Sequence, residues 1–132
     1  MKQIVIDGNN FSDEEGFYDE INRLLTRDLT WKTGHNPAAF NDLLRGGFGF
    51  HEYGEELEIK WINADKSRKN LGYDETVRFW EQRLATCHPS NRETVQKRIE
   101  DAKNHKGETL FNLFISIILD NEDHNCRLEI IG

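Results

Sequence analysis

The chain is short of basic residues, of cysteine and of long apolar runs. Seventeen Lys and Arg stand against 24 Asp and Glu, a formal net charge of −7. A surface of that sign is repelled by phosphate backbones, which disfavours general nucleic-acid binding and favours a basic protein partner. The two cysteines, Cys87 and Cys126, have no motif spacing. No disulfide framework is indicated, and reduced thiols in a cytoplasmic setting are expected. No stretch approaches the ~18 apolar residues of a membrane span. The densest run, Leu110 to Leu119, is short and carries Asn112 and Ser116. The opening Ile4-Val5-Ile6 meets Asp7-Gly8 too soon to be the apolar core of a secretory leader.

Catalytic motifs are missing as well. There is no Gly-x-Ser-x-Gly elbow, no phosphate-cradling Gly-rich loop and no dinucleotide fingerprint. Gly46-Gly47-Phe48-Gly49 follows a helical pattern instead of preceding one, so it reads as a helix C-cap and loop. None of His35, His51, His88, His105 and His124 sits in a paired-ligand spacing. Cys87-His88 and His124-x-Cys126 could meet as a zinc site; the plainer reading is two buried thiols and two surface imidazoles. Two histidines could also serve as acid and base of a small hydrolase, but an acidic surface opposes the approach of RNA. The reading is therefore no enzyme, no metal and no cofactor.

What the sequence does have is one ordinary domain's worth of residues, with eight Phe and three Trp for a core. Lys2 to Ile6 reads as a buried strand ending in a turn. Ser12-Asp13-Glu14-Glu15 is a capping-box pattern, and Phe17, Ile21, Leu24, Leu25 and Leu29 predict a helix from about Asp13 to Asp28. Asn36-Pro37 opens a short helix with Phe40, Leu43 and Leu44 on one side and a left-handed glycine cap at Gly46. Leu57 to Ile62 alternates as a strand, and Lys66 to Gly72 reads as a basic loop. A helix from Asp74 ends near Pro89. A second capping box, Ser90 to Glu93, opens another with Val95, Ile99 and Ala102. Glu108 to Asp120 is apolar on nearly every side and should be the most buried helix; Cys126 to Ile131 is a last strand. Strands separated by helices call for an α/β fold with a parallel, three-stranded sheet packed by helices. No repeat or linker divides residues 1–132, so one domain is expected.

Three acid clusters remain. They are Asp13, Glu14, Glu15, Asp19 and Glu20; then Glu52, Glu55, Glu56 and Glu58; then Asp120, Glu122 and Asp123. A helix N-terminus accounts for the first. The other two lie beside loops, where binding function concentrates.

The element order and three segments resemble the barstar family, intracellular inhibitors of barnase-type ribonucleases. Gly34-His35-Asn36-Pro37-Ala38-Ala39-Phe40-Asn41-Asp42-Leu43-Leu44-Arg45-Gly46 is similar to that family's loop-and-helix signature, with Gly34, Asn36, Ala39, Asp42, Leu44 and Gly46 in pattern. Leu57 to Trp61 is similar to its strand ending in Trp. The helix to Asp120, a turn and Cys126 match its C-terminal part. Residues 86–106 look like an extra helical insertion. The resemblance implies a non-catalytic protein that plugs a ribonuclease active site one-to-one, without nucleic acid or membrane; the sequence leaves the oligomeric state open, with a monomer favoured. An interaction module on the same fold that binds some other basic protein is the alternative.

By resemblance, Asp42 is the main inhibitory acid, Asp120 an acidic contact on the last helix, and Gly46 an interface glycine. Asn36 caps the signature helix. Lys32, Thr33, Gly34 and His35 fall in the contacting loop; Ala38, Asn41, Arg45 and Gly47 fall on or just past the helix. Five of these depart from the pattern. Ala38 replaces a first helix Asp, Asn41 and Gly47 replace aromatics, and Lys32 and Thr33 stand where loop aromatics are expected. The neighbouring loop, with Phe50, Glu52, Tyr53, Glu55 and Glu56, is expected to supply substitute contacts.

Overall fold

Alternate burial of Leu57, Ile59 and Trp61 marks β2 (Leu57–Ile62) as the centre of the sheet in the computed structural model. The structure describes residues 2–26, 34–47, 50–120 and 124–132. β1 (Lys2–Asp7) and β3 (Cys126–Ile130) flank β2, both parallel to it. Ile59 pairs with Ile4 on one side and Leu128 on the other, and Trp61 with Ile6 and Ile130, so every second register row faces the helices. The rows between carry Gln3, Glu58 and Arg127, then Val5, Lys60 and Glu129. The expected fully buried first strand is therefore half-buried: Val5 is 41% exposed on the uncovered face.

Between β1 and β2 lie α1 (Glu14–Leu25) and α2 (Pro37–Arg45). Between β2 and β3 lie α3 (Ala64–Asn70), α4 (Tyr73–Thr86), α5 (Arg92–Lys103) and α6 (Leu110–Leu119). Among the described residues the sheet is the expected three-stranded parallel one, but there is one helix more than periodicity indicated. α3 occupies the stretch read as a basic loop. Apart from Ala64, which is buried in the core, the contacts that hold it are polar and thus invisible to an apolar pattern. Ser67 is buried and accepts from Trp61 Nε1 at 3.0 Å. Lys66 Nζ reaches Gly8 O at 3.1 Å and Asn70 Oδ1 at 2.8 Å.

Neither expected capping box forms. Asp13 Oδ1, not Ser12, accepts from Gly16 N at 2.8 Å, while Ser12 Oγ takes a bond from Lys66 Nζ at 3.3 Å. His88 Nδ1 accepts from Ser90 N at 3.1 Å over a short 3-10 turn at Pro89–Asn91, and Asn91 leads into α5 without a side-chain cap. α1 closes at Leu25 with Thr26 as C-cap; Asp28 and Leu29, expected at its end, lie outside the described residues.

The core is an aromatic stack. Phe17 of α1 lies against Phe114 of α6 with centroids 4.0 Å apart, stacks on Trp61 at 5.4 Å, and meets Phe40 of α2 edge-on at 5.2 Å. Each such pair contributes ~0.5–1.5 kcal/mol beyond the burial itself. The stack locks α1, α2, α6 and β2 into one body and sets which side of α2 faces out. α6 is not the most buried helix. Leu110, Phe111, Phe114 and Ile118 are buried, but Leu119 is exposed and Ile115 and Ile117 are only half-covered. α5 packs on α4 through Val95, Ile99 and Ala102, which stay outside the main core cluster. The helix expected within residues 86–106 is thus an outer layer.

Candidate functional site

α2 is short, and every part of it is held. Asn36 Oδ1 accepts from Ala39 N at 2.8 Å, as the Asn-Pro pattern predicts, and Pro37 takes the first helical turn. Phe40, Leu43 and Leu44 face the core. That spacing leaves Ala38 and Asp42 exposed, with Asn41 and Arg45 half-buried beside them. The helix ends at Gly46, whose φ of 93° is positive as expected. Its ψ of −174° lies outside the left-handed helical region, so the cap differs from the expected one.

The glycine turn brings the next loop back onto α2. Gly47 N donates to His51 O at 2.8 Å, and Gly54 N to Arg45 O at 2.7 Å. His51 is buried, with Nε2 3.1 Å from Leu44 O. This closure places Tyr53, 75% exposed, next to α2's last turn. Asp42, Arg45, Gly46, Gly47 and Tyr53 together line a recess of about 350 Å³. Arg45 Nη1 lies 3.4 Å from Asp42 Oδ1. A second recess of about 310 Å³ adjoins it through Gly47 and includes Lys2, Phe50, Glu52 and Glu55.

The acidic loop residues have unequal roles. Glu52 and Tyr53 project into solvent. Glu55 Oε1 accepts from Glu52 N at 2.9 Å and shapes the turn. Glu56 pairs with Arg127 of β3 at 2.7 Å. Phe50 packs against the core beneath the Lys2 ammonium. Asp120 is exposed at the end of α6, the helix against which α2 packs. Gly34 is exposed; Lys32 and Thr33, with Phe48 and the acids Glu122 and Asp123, lie outside the described residues.

His35 is engaged with the protein's own α1. Nδ1 pairs with Glu15 and Nε2 lies 3.4 Å from Asp19, while the ring packs on Tyr18 with centroids 5.4 Å apart. The loop before α2 is thereby tied down. Sequence reasoning missed this contact, although Glu15 and Asp19 at (i, i+4) present two acids on one helix face. Tyr18 in turn donates to Glu14 Oε2 at 2.9 Å, with Arg83 of α4 3.7 Å away. Burial raises the Glu14 carboxyl above its usual range, and the Tyr18 bond and Arg83 only partly oppose it. Glu14 is therefore a buried tether between α1 and α4, not part of the outward acid surface. Asp7 has its carboxyl lowered, chiefly by the bond from Asn63 Nδ2 at 2.8 Å and then by the Asn9 amide.

Cys87 is half-buried, and His124 is buried with Nε2 3.2 Å from Ile118 O, so neither fits the expected pairing of buried thiols with surface imidazoles. Among the described residues, no group of three or more ligating side chains is placed to hold a metal. No helix among them is long and apolar enough to cross a membrane. What the α2 surface offers is contact chemistry: a carboxylate 57% exposed, an open aromatic ring, and exposed backbone at Gly47. A family model described as Barstar (barnase inhibitor) matches residues 1–118, which contain all of α2 and the loop behind it. Neither the curated proteins nor the solved structures give a match.

Proposed function

The chain belongs to the barstar family, and from that premise we propose that it is an immunity-type inhibitor. It binds a basic, barnase-like ribonuclease one-to-one in the cytoplasm and blocks its active site. Residues 1–132 act as one domain in this reading, without catalysis of their own. The observation that carries it is the recess at the end of α2, where Asp42, Gly46, Gly47 and Tyr53 converge.

In this reading the Asp42 carboxylate takes the place of a substrate phosphate against the enzyme's cations. Gly46 turns the chain under the Glu52 carbonyl, and the exposed Gly47 beside it lets the partner's surface approach the backbone closely. Tyr53 and Glu52 supply an aromatic anchor and a charge where Ala38, Asn41 and Gly47 do not; aromatic anchors are the residues that dominate interface energy. Asp120 adds a second acid from α6. His35 and Asn36 hold the start of α2 in place. The net charge of −7 speeds encounter with a basic enzyme.

The test is titration into an RNA-cleavage reaction run by a barnase-like ribonuclease, at low and moderate salt. Stoichiometric loss of cleavage is expected, with faster association at low salt. Undiminished cleavage at an excess of inhibitor, at both salts, would contradict the proposal.

A further inference from the structure

We infer that Arg45 is a specificity-determining residue: it masks Asp42 from a purely basic partner and fits the site to a ribonuclease face that sets a carboxylate beside its cations. This rests on the reading of α2 as the inhibitory surface. Three observations support it. Arg45 Nη1 is 3.4 Å from Asp42 Oδ1, so the acid that resembles the family's main inhibitory residue already has a cation next to it. Both side chains wall the same recess, with Gly46, Gly47 and Tyr53, so a partner that reaches one reaches the other. The Arg45 side chain is 32% exposed against 57% for Asp42, so the arginine side chain is the more confined of the two.

The consequence follows from the chemistry of guanidinium. It stays charged under any relevant condition and offers five fixed donors. Against a face of Lys, Arg and His alone, Arg45 becomes a desolvated cation among cations, and like charges brought together at an interface discriminate against that partner. Asp42 must then be shared between Arg45 and the enzyme. A face that places a carboxylate next to a cation removes both penalties. Its cation takes Asp42, its carboxylate takes Arg45 in the paired geometry guanidinium favours, and the Tyr53 ring borders the crossed pair.

A cation in the last turn also complements the helix dipole, and an Asp–Arg pair at (i, i+3) is a common helix contact. Those roles predict a change in stability with no gain in binding, and the experiment separates them. The probe is a barnase-like ribonuclease whose contact face carries Lys, Arg and His without a carboxylate, alongside the same enzyme with one glutamate introduced on that face. Dissociation constants are measured for wild type, Arg45→Ala, Asp42→Ala and the double variant, with thermal melts of each; Arg45→Gln substitutes if Arg45→Ala fails to fold. Arg45→Ala should tighten binding to the all-basic face about two- to fivefold. The gain should shrink with added salt and largely vanish in the Asp42→Ala background. On the glutamate-bearing face the order should reverse, with wild type binding more tightly than Arg45→Ala. Unchanged or weaker binding of Arg45→Ala to the all-basic face, while wild type binds, overturns the inference alone. If neither wild type nor any variant binds either enzyme, the reading of α2 fails and the inference falls with it.

Discussion

Replacing Gly46 by alanine tests how the glycine turn builds the site. Gly46 has φ 93° and ψ −174°, a region that residues with a Cβ enter only at a strain of ~1–3 kcal/mol. An added Cβ would also stand 2.2 Å from Glu52 O and 2.8 Å from the Glu52 carbonyl carbon. These are backbone atoms, so no rotamer change relieves the overlap. The loop must move, at the risk of the bonds from Gly47 N to His51 O and from Gly54 N to Arg45 O, each contributing ~1 kcal/mol. A total of roughly 2–4 kcal/mol is expected. Gly47 is the control. It also has positive φ, 87°, but its Cβ would lie 3.9 Å from the nearest atom, Tyr53 Cβ, an ordinary contact. Alanine there should cost only the strain. For a chain of this size a kcal/mol is worth ~4 °C in melting temperature. Thermal and urea unfolding should show Gly46→Ala lower by ~8–15 °C and Gly47→Ala by about half as much. Equal losses at the two positions would refute the argument from the Glu52 carbonyl.

Other perturbations read other parts of the account. Asn36→Ala removes the cap on Ala39 N and should cost ~1 kcal/mol, visible as a melting shift of ~4 °C. The Glu14 carboxyl is raised by burial, so its protonated form is favoured in the folded protein and its contribution is lost as pH rises through the folded value. Glu14→Gln should therefore raise the melting temperature at pH 7 and leave it nearly unchanged at pH 4. Asp7 has the opposite sign: its lowered carboxyl stabilises above the unfolded value and the effect is lost as pH falls through the folded one. Asp7→Asn should destabilise at pH 7 and be silent near pH 2. Burial pushes the Cys126 thiol up to about 12 while Cys87 is half-exposed, so a thiol reagent at pH 8 should label Cys87 in the folded protein and Cys126 only after unfolding.

The parts of the fold legible in the sequence are those with apolar periodicity. β2 alternates cleanly, α2 carries Phe40, Leu43 and Leu44 at helical spacing behind an Asn-Pro start, and both stand where the pattern put them. What was not legible was polar. α3 is held by Ser67 under the Trp61 indole and by Lys66 on the carbonyl of Gly8, contacts some 6 and 58 residues apart that no local pattern contains. At the start of α1 Asp13 is the cap and not Ser12, while Ser12 accepts from Lys66 and Glu15 pairs with His35, again tertiary partners. The apolar run of α6 overstated its burial, since composition alone does not say which side meets the core. At the site, Asp42 and Gly46 were legible from the signature. The Asp42–Arg45 pair, the exposure of Tyr53 and the role of Glu56 toward Arg127 needed the loop closure and sheet register to become visible.

Calorimetric titration of a barnase-like ribonuclease with wild-type protein and with Asp42→Ala tests the central claim most directly. Asp42 is largely exposed, so its removal should change stability by no more than ~0.5 kcal/mol. As a central interface acid it should still weaken binding by at least ~2 kcal/mol, about 30-fold. One-to-one binding by the wild type, with that loss in a variant that melts normally, is the predicted result. Equal affinity for the two proteins would contradict the assignment of α2 as the inhibitory surface.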